Sequence, residues 1–533
     1  MSDHDTDVLV VGSGLSGNLI AHRLAQAGLS VTILEAGPRI ERHHLVEAYR
    51  NATDKGDFMA PYVAATHAPQ GQAGSDYIVQ DGDYPYNVQY IRAVGGTTWH
   101  WAAATWRFLP NDFRLFSLYG VGRDWPLSYE DLEPWYTQAE AELGVSGPDP
   151  ADEDLGSPRS GAYPMAALPL SYMDRDFADR LNSSGEFRVV TEPAARNSTP
   201  YDGRAACCGN NNCMPICPIA AQYSGNVHAI KAEHAGAHLI PDAVAFAVET
   251  DAEGRMVTAV HYLHPDGSRH RMTARRIVLA ANGIETPKLM LMSASDTVPN
   301  GLANRSDQVG RNLMDHPGIS VSFLWDKPVF PGRGPQEMTS IVSRRDGDFR
   351  AEMAGRKLHL GNMSDLDGIT ERLIDSGLQG PELDAEIRAR VVRKVGINCF
   401  LEQLPEGHNR VQPHPDQVDA MGLPKPLLTY QIEPYVARAR DATLEDYARI
   451  AELLGGTEVE FNDEYGGNNH IMGTTIMGTD PTTSVVDADC RCHDHPNLFI
   501  GGPSVFCTGG TVNSGLTIAA LALRLADAMI AET

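Results

Sequence analysis

Long apolar runs are missing from this sequence. A helix that spans a membrane needs about 20 consecutive apolar residues, and the longest candidate run, over residues 516–523, is interrupted by Thr517 and followed by Arg524. The amino-terminal Met-Ser-Asp-His-Asp-Thr-Asp also lacks the basic region, apolar core and cleavage site of an export signal. Taken alone, the chain is therefore expected in the cytoplasm, without a membrane anchor of its own.

Basic side chains are few relative to acidic ones. The chain has 43 lysines and arginines against 69 aspartates and glutamates, a formal charge of −26 over 533 residues. Such a surface disfavours nucleic acid and anionic membranes as direct partners. It suits a cationic protein partner, but it is also typical of adaptation for solubility or high salt, which we favour. A chain of this length has room for two or three domains.

Cysteine is rare except in one short segment. Of the eight cysteines, four lie between Cys207 and Cys217, and the chain is neither short nor rich in cysteine, which argues against a disulfide scaffold. The segment reads Cys207-Cys208-Gly-Asn-Asn-Asn-Cys213-Met-Pro-Ile-Cys217-Pro218. No Cys-x-x-Cys-His sequence occurs, so the chain is expected to attach no c-type haem itself.

Three chemistries compete for this cysteine segment. Structural zinc usually takes two Cys-x-x-Cys pairs separated by a longer loop, and neither pair is present. A disulfide would leave the Cys-x-x-x-Cys-Pro ending at Pro218 unexplained. Iron–sulfur clusters use that ending, so the segment favours an iron–sulfur cluster over zinc. Adjacent Cys207 and Cys208 point differently from the backbone and are not expected to bind one cluster together.

The amino-terminal residues carry a dinucleotide-binding pattern. A buried strand from Asp7 leads into Gly12-Ser-Gly14-Leu-Ser-Gly17, a helix follows, and a second strand ends at Glu35. Gly12 permits the tight turn, Gly14 lets the pyrophosphate approach the backbone, and Gly17 allows close packing of helix on strand. Glu35 follows Gly17 by 18 residues and is placed to accept from a ribose hydroxyl. The terminal position of the unit and the Glu-Ala-Gly after the second strand favour FAD over NAD.

Five further motifs follow in order along the chain. They are Arg92-Ala-Val-Gly-Gly-Thr-Thr-Trp-His-Trp, Ile277-Val-Leu-Ala-Ala-Asn-Gly-Ile-Glu-Thr-Pro, Val309-Gly-Arg-Asn-Leu-Met-Asp-His-Pro, Asn468-Asn-His-Ile-Met-Gly-Thr-Thr-Ile-Met-Gly and Gly510-Thr-Val-Asn-Ser-Gly-Leu-Thr. In this order they resemble the glucose–methanol–choline (GMC) oxidoreductase family, over nearly the whole chain. Residues 119–125 and 195–204 resemble one branch more closely: the catalytic subunits of bacterial membrane-associated dehydrogenases for glucose, fructose, gluconate and related sugars, which hold an iron–sulfur cluster.

The resemblance implies an α/β fold of two domains, each discontinuous in sequence. A Rossmann-like FAD-binding domain is expected from residues 1–100, 195–317 and 480–533, with the iron–sulfur segment at residues 207–218. An α+β substrate-binding domain with an antiparallel sheet is expected from residues 101–194 and 318–479.

Local patterns predict several elements independently of the resemblance. Ser128-Tyr-Glu-Asp131 resembles a capping box that opens a helix to about Leu143. Residues 147–164, rich in proline, glycine and aspartate, predict a surface connection. Residues 435–454 predict a long amphipathic helix that ends at two glycines.

Two residues match the family's catalytic positions. Oxidation of an alcohol requires a base with a pKa near the working pH, and histidine meets that need. The resemblance places His470 at the catalytic histidine and Asn513 at its partner, where the asparagine amide can donate to the developing alkoxide. A helix from about Thr517 to Ile530 would aim its positive amino terminus at the reduced flavin. His316 is expected to shape the flavin or domain interface.

The resemblance also assigns residues to the cofactors. Besides the first glycine motif and Glu35, the expected FAD-binding residues are Gly95, Gly96, Thr97, His100, Val244, Asn513 and Thr517. His100 either attaches the flavin covalently or only packs near its ring. The branch implies a three-iron (3Fe–4S) cluster on Cys207, Cys213 and Cys217 with Cys208 spare; a four-iron (4Fe–4S) cluster that uses Cys208 is the alternative.

The resemblance implies a sugar dehydrogenase that does not use oxygen. Hydride from a sugar hydroxyl, glucose first, would pass to FAD and leave through the cluster to a multihaem cytochrome c subunit. A small companion subunit with an export signal would carry the pair to the periplasmic side of the bacterial inner membrane, so contact with the membrane would be indirect. The alternatives are a fructose, polyol, gluconate or glycoside dehydrogenase of the same branch, an oxidase, or a flavoprotein that has lost catalysis. Pocket residues are expected mostly within 336–403, where no motif identifies one sugar.

Overall fold

A computed structural model of the chain describes residues 4–532. Residues 1–3 and 533, which belong to the stretches 1–100 and 480–533 expected in the FAD-binding domain, lie outside the described part. The strands are β1 (Thr6–Val11), β2 (Val31–Leu34), β3 (Gly71–Gln72), β4 (Val79–Asp81), β5 (Gln89–Tyr90), β6 (Ser146–Gly147), β7 (Met165–Ala166), β8 (Val189–Thr191), β9 (His238–Ile240), β10 (Val244–Thr250), β11 (Val257–Leu263), β12 (Arg269–Leu279), β13 (Gly318–Leu324), β14 (Glu337–Ile341), β15 (Arg356–Gly361), β16 (Lys394–Leu401), β17 (Arg410–Val418), β18 (Pro424–Thr429), β19 (Thr457–Gly466) and β20 (Leu498–Ile500). The α-helices are α1 (Leu15–Gln26), α2 (Arg42–Asn51), α3 (Leu115–Tyr119), α4 (Tyr129–Leu143), α5 (Tyr172–Ser184), α6 (Asn226–His234), α7 (Asn282–Met292), α8 (Leu366–Asp375), α9 (Gly380–Val391), α10 (Pro434–Leu453) and α11 (Gly515–Ala531).

The first large sheet contains the dinucleotide-binding pattern. Its strand order is β10-β11-β12-β1-β2-β9, with β20 also paired to β12. Strands β12, β1, β2, β9 and β20 are parallel, whereas β10, β11 and β12 pair antiparallel. Strand β1 is buried along nearly its whole length, as expected for a parallel sheet that is covered on both faces. Helix α1 leaves β1 through the glycine turn and packs against α6 and α11.

The second large sheet is antiparallel throughout. Its order is β19-β13-β16-β15-β14-β8, so it joins residues 189–191 to strands from residues 318–466. Helix α10 packs on β13, β16 and β19, where Tyr447 and Ile450 meet Phe323 and Ile397 in a core separate from that of the first sheet. The predicted combination of a Rossmann-like unit with an antiparallel sheet, each built from separated stretches, is confirmed.

The local predictions agree with the structure. In the capping box, the Ser128 hydroxyl accepts from the Asp131 N–H at 3.1 Å and the Asp131 carboxylate accepts from the Ser128 N–H at 2.9 Å, and α4 follows. Helix α10 spans the predicted long helix, with left-handed Gly455 just after its end. Between β6 and β7 the chain forms no helix. Within residues 4–532, no helix combines the length and the apolar character needed to cross a membrane.

Candidate active site

The glycine turn after β1 forms a cradle for phosphate. Gly12 has a φ of 105°, and a Cβ there would stand 2.5 Å from the Ala280 carbonyl oxygen, while a Cβ on Gly17 would collide with the Gly12 carbonyl oxygen. Gly14 differs, because no atom lies within 4 Å of where its Cβ would be. Two glycines therefore serve close packing, and the third leaves open space at the amino terminus of α1, where anions bind favourably.

The second glycine pair lies against this turn. The Gly95 N–H donates to the Ser13 carbonyl oxygen at 2.9 Å, and a Cβ on Gly96 would stand 2.9 Å from the Gly14 Cα. The Thr97 hydroxyl accepts from the Ile91 N–H at 3.2 Å. The two glycine motifs, far apart in sequence, thus form one wall.

One cavity of about 590 Å³ joins the phosphate cradle to the predicted catalytic pair. Of the predicted cofactor residues, its walls include Gly12, Gly14, Glu35, Gly96, Thr97, His100, Val244 and Asn513. The Glu35 carboxylate accepts from the Ser13 N–H at 2.9 Å, from the Ser13 hydroxyl at 2.7 Å and from the Gly37 N–H at 2.9 Å. Glu35 therefore holds the glycine turn as well as facing the cavity.

Gly17, Gly95 and Thr517 lie behind the cavity wall. Gly17 packs α1 on β1, and Gly95 fixes the second turn. The Thr517 side chain points away from the cavity, and its hydroxyl lies 2.8 Å from the Tyr136 hydroxyl. Helix α11 begins at Gly515, before the predicted start, and residues 514, 515 and 518 line the cavity. The amino terminus of α11 is therefore directed at the cavity, as expected.

The residues present fit FAD. The cavity combines an open cradle at Gly14 with a buried imidazole that lacks a partner: His100 Nε2 has no hydrogen bond among residues 4–532. Burial lowers the pKa of His100 to about 4, so the ring is neutral at neutral pH. A buried polar atom without a partner is rare in folded proteins, and a flavin held in this cavity would supply one.

Three groups in series fix the proton of His470. His316 Nε2 lies 2.9 Å from the Gly510 carbonyl oxygen, which can only accept, so Nε2 carries the proton. Burial lowers the pKa of His316 to about 4, so its Nδ1 is unprotonated. That Nδ1 lies 2.8 Å from His470 Nδ1, which must therefore donate. His470 is left with a lone pair on Nε2, the atom that faces Asn513.

The environment keeps His470 neutral. Burial lowers the pKa of His470 well below its ordinary 6.5, and the nearby His316 and Lys357 lower it further. The sequence predicts for His316 only a role in shaping the flavin or domain interface, whereas the structure places it as the residue that sets the His470 tautomer. The Asp-His-Pro motif draws attention to His316, but nothing in the sequence indicates that His316 contacts His470.

Asp315 holds the catalytic loop through its backbone. Its carboxylate accepts from the N–H groups of His316 at 2.7 Å, His470 at 2.9 Å and Asn469 at 3.2 Å. Burial raises the pKa of Asp315 to about 6, against the effect of these donors. One side chain thus joins the end of the third motif to the start of the fourth.

Lys357 orients Asn513. Its Nζ lies 3.0 Å from Asn513 Oδ1 and 3.3 Å from Glu192, and its side chain is fully buried. An ammonium can only donate, so the amide atom beside it is the oxygen, and the Asn513 NH₂ group is directed towards His470 Nε2, 3.5 Å away. Lys357 carries no signal in the sequence, because its contact with Asn513 depends on the fold of the second sheet.

The antiparallel sheet supplies a polar wall opposite the glycine turns. Lys357 and His359 lie two residues apart on β15 and so share a face, and they pair with Phe400 and Asn398 of β16. Of these, His359, Asn398 and Phe400 line the cavity, together with Glu337 of β14. All of these residues fall within the predicted range 336–403.

Two atoms of this wall lack partners. Glu337 Oε2 and His359 Nδ1 are buried without a hydrogen bond among residues 4–532. Burial and the nearby Glu192 raise the pKa of Glu337, while burial lowers the pKa of His359 to about 4. Buried polar groups normally find partners, and the hydroxyl groups of a bound sugar would supply them.

The cysteine segment touches the same cavity. Met214 lines it, and the Met214 N–H donates to the Gln336 side chain at 2.8 Å. Cys213 and Cys217 are buried, Cys207 is partly exposed and Cys208 is exposed. Of the three cysteines expected as ligands, two are therefore buried and one is partly exposed, whereas the spare Cys208 is exposed.

Arg196 is close enough to these three thiols to interact with them electrostatically. Burial lowers the pKa of Arg196, but Cys213, Cys207 and Cys217 raise it, and the net pKa is above the ordinary value. Its Nε is buried without a hydrogen-bond partner among residues 4–532. The Gly209 N–H also lies 3.4 Å from Cys207 Sγ. The unpaired Arg196 Nε–H and the Gly209 N–H that donates to Cys207 fit a bound anionic cluster.

The spacing of the sulfur atoms bears on zinc. Four ligands about 2.3 Å from one zinc ion would hold their sulfurs about 3.8 Å apart. Within residues 4–532, one group of three or more histidine, cysteine or acidic donors comes within 4.8 Å, and it does not contain these cysteines. Among the described residues, these cysteines therefore do not converge as the ligands of a single zinc ion would.

Comparisons with known proteins match almost the whole chain. Residues 90–318 and 405–522 each match a GMC oxidoreductase family profile, and residues 10–72 match an NAD(P)-binding Rossmann-like domain. The chain is 47% identical to the fructose dehydrogenase large subunit of Gluconobacter japonicus, over 98% of this chain and 97% of that one. It is 30% identical to 2-methyl-1,2-propanediol dehydrogenase of Mycolicibacterium austroafricanum, over 99% and 95%. Pyridoxine 4-oxidase from Mesorbium loti shares the fold, with a TM-score of 0.65 at 18% identity over 98% of this chain and 99% of that one.

Proposed function

Since this chain belongs to the GMC oxidoreductase family, we propose that it is an FAD-dependent dehydrogenase that oxidises a sugar hydroxyl and passes the electrons to a protein partner through an iron–sulfur cluster. One observation carries the proposal: a single cavity contains a phosphate cradle at Gly14, a proton acceptor at His470 and an amide donor at Asn513. Fructose is the first candidate substrate, because a relative of that name is 47% identical. Glucose, gluconate, polyols and glycosides are the further candidates.

The chain's own residues provide the proton chemistry. When bound, FAD accepts hydride from the carbon that bears the hydroxyl. His470 takes the hydroxyl proton at Nε2, because its Nδ1 proton is held by His316. Asn513 donates from its NH₂ group to the oxygen as negative charge develops there. The alcohol thus loses one proton and one hydride and becomes a carbonyl compound.

The polar wall suits a polyhydroxylated substrate. Glu337 Oε2 and His359 Nδ1 offer two buried hydrogen-bonding atoms without partners, and Asn398 lies beside His359 in the sheet. A site built to bind hydroxyl groups rejects analogues that lack them, because its own polar atoms would then stay unpaired. This wall supports a sugar over a simple alcohol.

The cysteine segment supports a relay towards a partner. Cys207, Cys213 and Cys217 would hold the cluster, which supplies one-electron transfer. Gln222 connects the two sites, because its Nε2 donates to the Trp101 carbonyl at 2.6 Å in the cavity wall and to the Cys213 carbonyl at 3.3 Å. This proximity supports hand-over of electrons between the cavity and the cysteines.

The surface around the cysteine segment suits a protein partner. The Asn211 side chain donates to the Gly334 and Asn362 carbonyls, each at 2.7 Å. The two segments that it contacts carry Phe330, 43% exposed, and Met363, 40% exposed. Exposed apolar side chains beside a redox site fit a docking partner. The partner that we propose is a multihaem cytochrome c, with a companion subunit that exports the pair to the periplasmic side of the inner membrane.

The test combines metal analysis with a choice of acceptors. We expect the purified holoprotein to contain iron and acid-labile sulfide, and its flavin to be bleached by fructose or another sugar of the panel. Dye reduction should far exceed oxygen consumption with the same sugar. Flavin bleaching in a protein without iron would leave a flavoenzyme of unknown acceptor. Oxygen consumption as fast as dye reduction would identify an oxidase. A flavin that no sugar bleaches would indicate lost catalysis.

A matched pair of cysteine variants tests the ligands. Cys213→Ser should lose the paramagnetic iron signal and the reduction of a cytochrome acceptor, while sugar still bleaches the flavin. Cys208→Ser should keep the signal, because the Cys208 side chain is exposed. Equal loss in both variants would instead favour a four-iron cluster that uses Cys208.

The attachment of the flavin is tested through His100. We expect acid precipitation to leave the yellow colour in the pellet of the wild-type protein and to release it from His100→Ala, because the partnerless Nε2 of a neutral His100 is the available nucleophile. Colour that stays wholly in the wild-type supernatant would reject the covalent link and leave His100 with a packing role.

A further inference from the structure

Three helices meet at a polar cluster outside the cavity. His22 lies on α1, Glu142 on α4 and His228 on α6, and none of the three lines the cavity. One donor atom of each lies within 4.8 Å of the donor atoms of the other two. The proton chemistry of the active site does not use this cluster.

The geometry around His228 suits a metal ligand. His228 Nε2 lies 3.0 Å from the Glu142 carboxylate, and its Nδ1 lies 2.8 Å from the Tyr223 hydroxyl. A histidine that binds a metal through one nitrogen usually donates from the other to an oxygen, which fixes the ring. The His228 side chain is fully buried, so its orientation is fixed by packing as well.

His22 completes the set. Its ring stands edge-on to that of His228, with 5.4 Å between centroids. Within residues 4–532, the ring nitrogens of His22 make no hydrogen bond. Both rings thus bring a nitrogen to within 4.8 Å of a Glu142 carboxylate oxygen.

One cation lies near the cluster. Lys231 Nζ is 3.7 Å from the Glu142 carboxylate but 2.8 Å from Asp202. Asp202 therefore holds the ammonium aside and balances its charge. Lys231 is the residue expected to compete with a bound ion.

We propose that His22, Glu142 and His228 bind a divalent transition-metal ion, zinc in the first place, which links α1, α4 and α6. Two imidazoles and one carboxylate form a ligand set of zinc sites that keep one position for water, whereas magnesium and calcium require mainly oxygen ligands. The ion would tie the helix that follows the cysteine segment to the helix that carries the phosphate cradle. The inference is independent of the flavin and of the iron–sulfur cluster.

The experiment uses the full-length holoprotein and zinc sulfate. Equilibrium dialysis should show one saturable zinc ion per chain in the wild type, with affinity at least tenfold weaker in His22→Ala. The His22 side chain is half-buried and makes no hydrogen bond, so this variant should fold. Lys231→Met should bind zinc more tightly, since it removes the competing cation. His234→Ala, which removes an exposed histidine from α6, should match the wild type.

Thermal unfolding provides a second measurement. Zinc should raise the Tm of the wild type and of His234→Ala, because an ion that binds only the folded chain stabilises it. It should leave the Tm of His22→Ala unchanged. The proposal is overturned if the wild type binds no stoichiometric zinc, or if His22→Ala binds it as tightly as His234→Ala does.

Discussion

Replacing His470 with alanine is expected to lower kcat for sugar oxidation by about 10²–10⁴-fold, the range that a positioned general base contributes. The reason is specific to one atom: Nε2 of His470 carries no proton, because the ring proton is on Nδ1, which donates to His316 at 2.8 Å. Stopped-flow bleaching of the flavin by sugar measures the step without any external acceptor. Flavin content and Tm should stay at the wild-type values.

The control is a histidine of similar exposure away from the cavity. His264→Ala, at the turn between β11 and β12, should bleach at the wild-type rate. Bleaching by His470→Ala within a few-fold of the wild type would move the base to another group. The pH profile gives a second check, because burial holds the pKa of His470 well below 6.5. Activity should therefore persist below pH 6.5 and fall only when Nε2 becomes protonated.

Removing the amide of Asn513 is expected to cost about 10²–10³-fold in kcat, as for the loss of one donor to a developing oxyanion. Asn513→Ala should leave the affinity for FAD unchanged if the amide acts only on the substrate oxygen. Turnover equal to the wild type would remove Asn513 from the mechanism.

Lys357 should act through Asn513 and His470 without touching the substrate. Its ammonium lies 3.0 Å from Asn513 Oδ1 and lowers the pKa of His470. Lys357→Met should therefore lower kcat and shift the acid limb of the profile to higher pH, because loss of a positive charge stabilises the imidazolium. Lys357→Arg keeps the charge and should keep the limb in place. An unmoved limb in Lys357→Met would reduce Lys357 to a structural role, with Tm reporting any loss of folding.

Patterns that depend on neighbouring residues could be predicted from the sequence. The glycine turn and the capping box at Ser128 each depend on a few consecutive residues, and the structure places them as expected. The assignment of the cysteines as cluster ligands stays a prediction. The predicted start of the last helix, at Thr517, lies two residues after the observed start of α11 at Gly515, and Ser514, Gly515 and Ile518 line the cavity instead of Thr517. A shift of two positions turns a helical side chain to another face.

Contacts across the second sheet could not be predicted in this way. Lys357 meets Asn513 across 156 residues of sequence, and His359 faces Asn398 only because β15 and β16 pair in one register. A register shifted by one residue would turn every side chain of a strand to the opposite face. The sequence range of the pocket was therefore predictable, whereas its polar wall was not.

The chain of contacts from His470 through His316 ends at the Gly510 carbonyl. A carbonyl oxygen accepts a hydrogen bond but does not take the proton onward, so this chain is a dead end for proton conduction. The proton captured from the sugar therefore has to leave from Nε2, on the cavity side of His470. Turnover in heavy water should slow if the transfer of this proton from Nε2 limits the cycle.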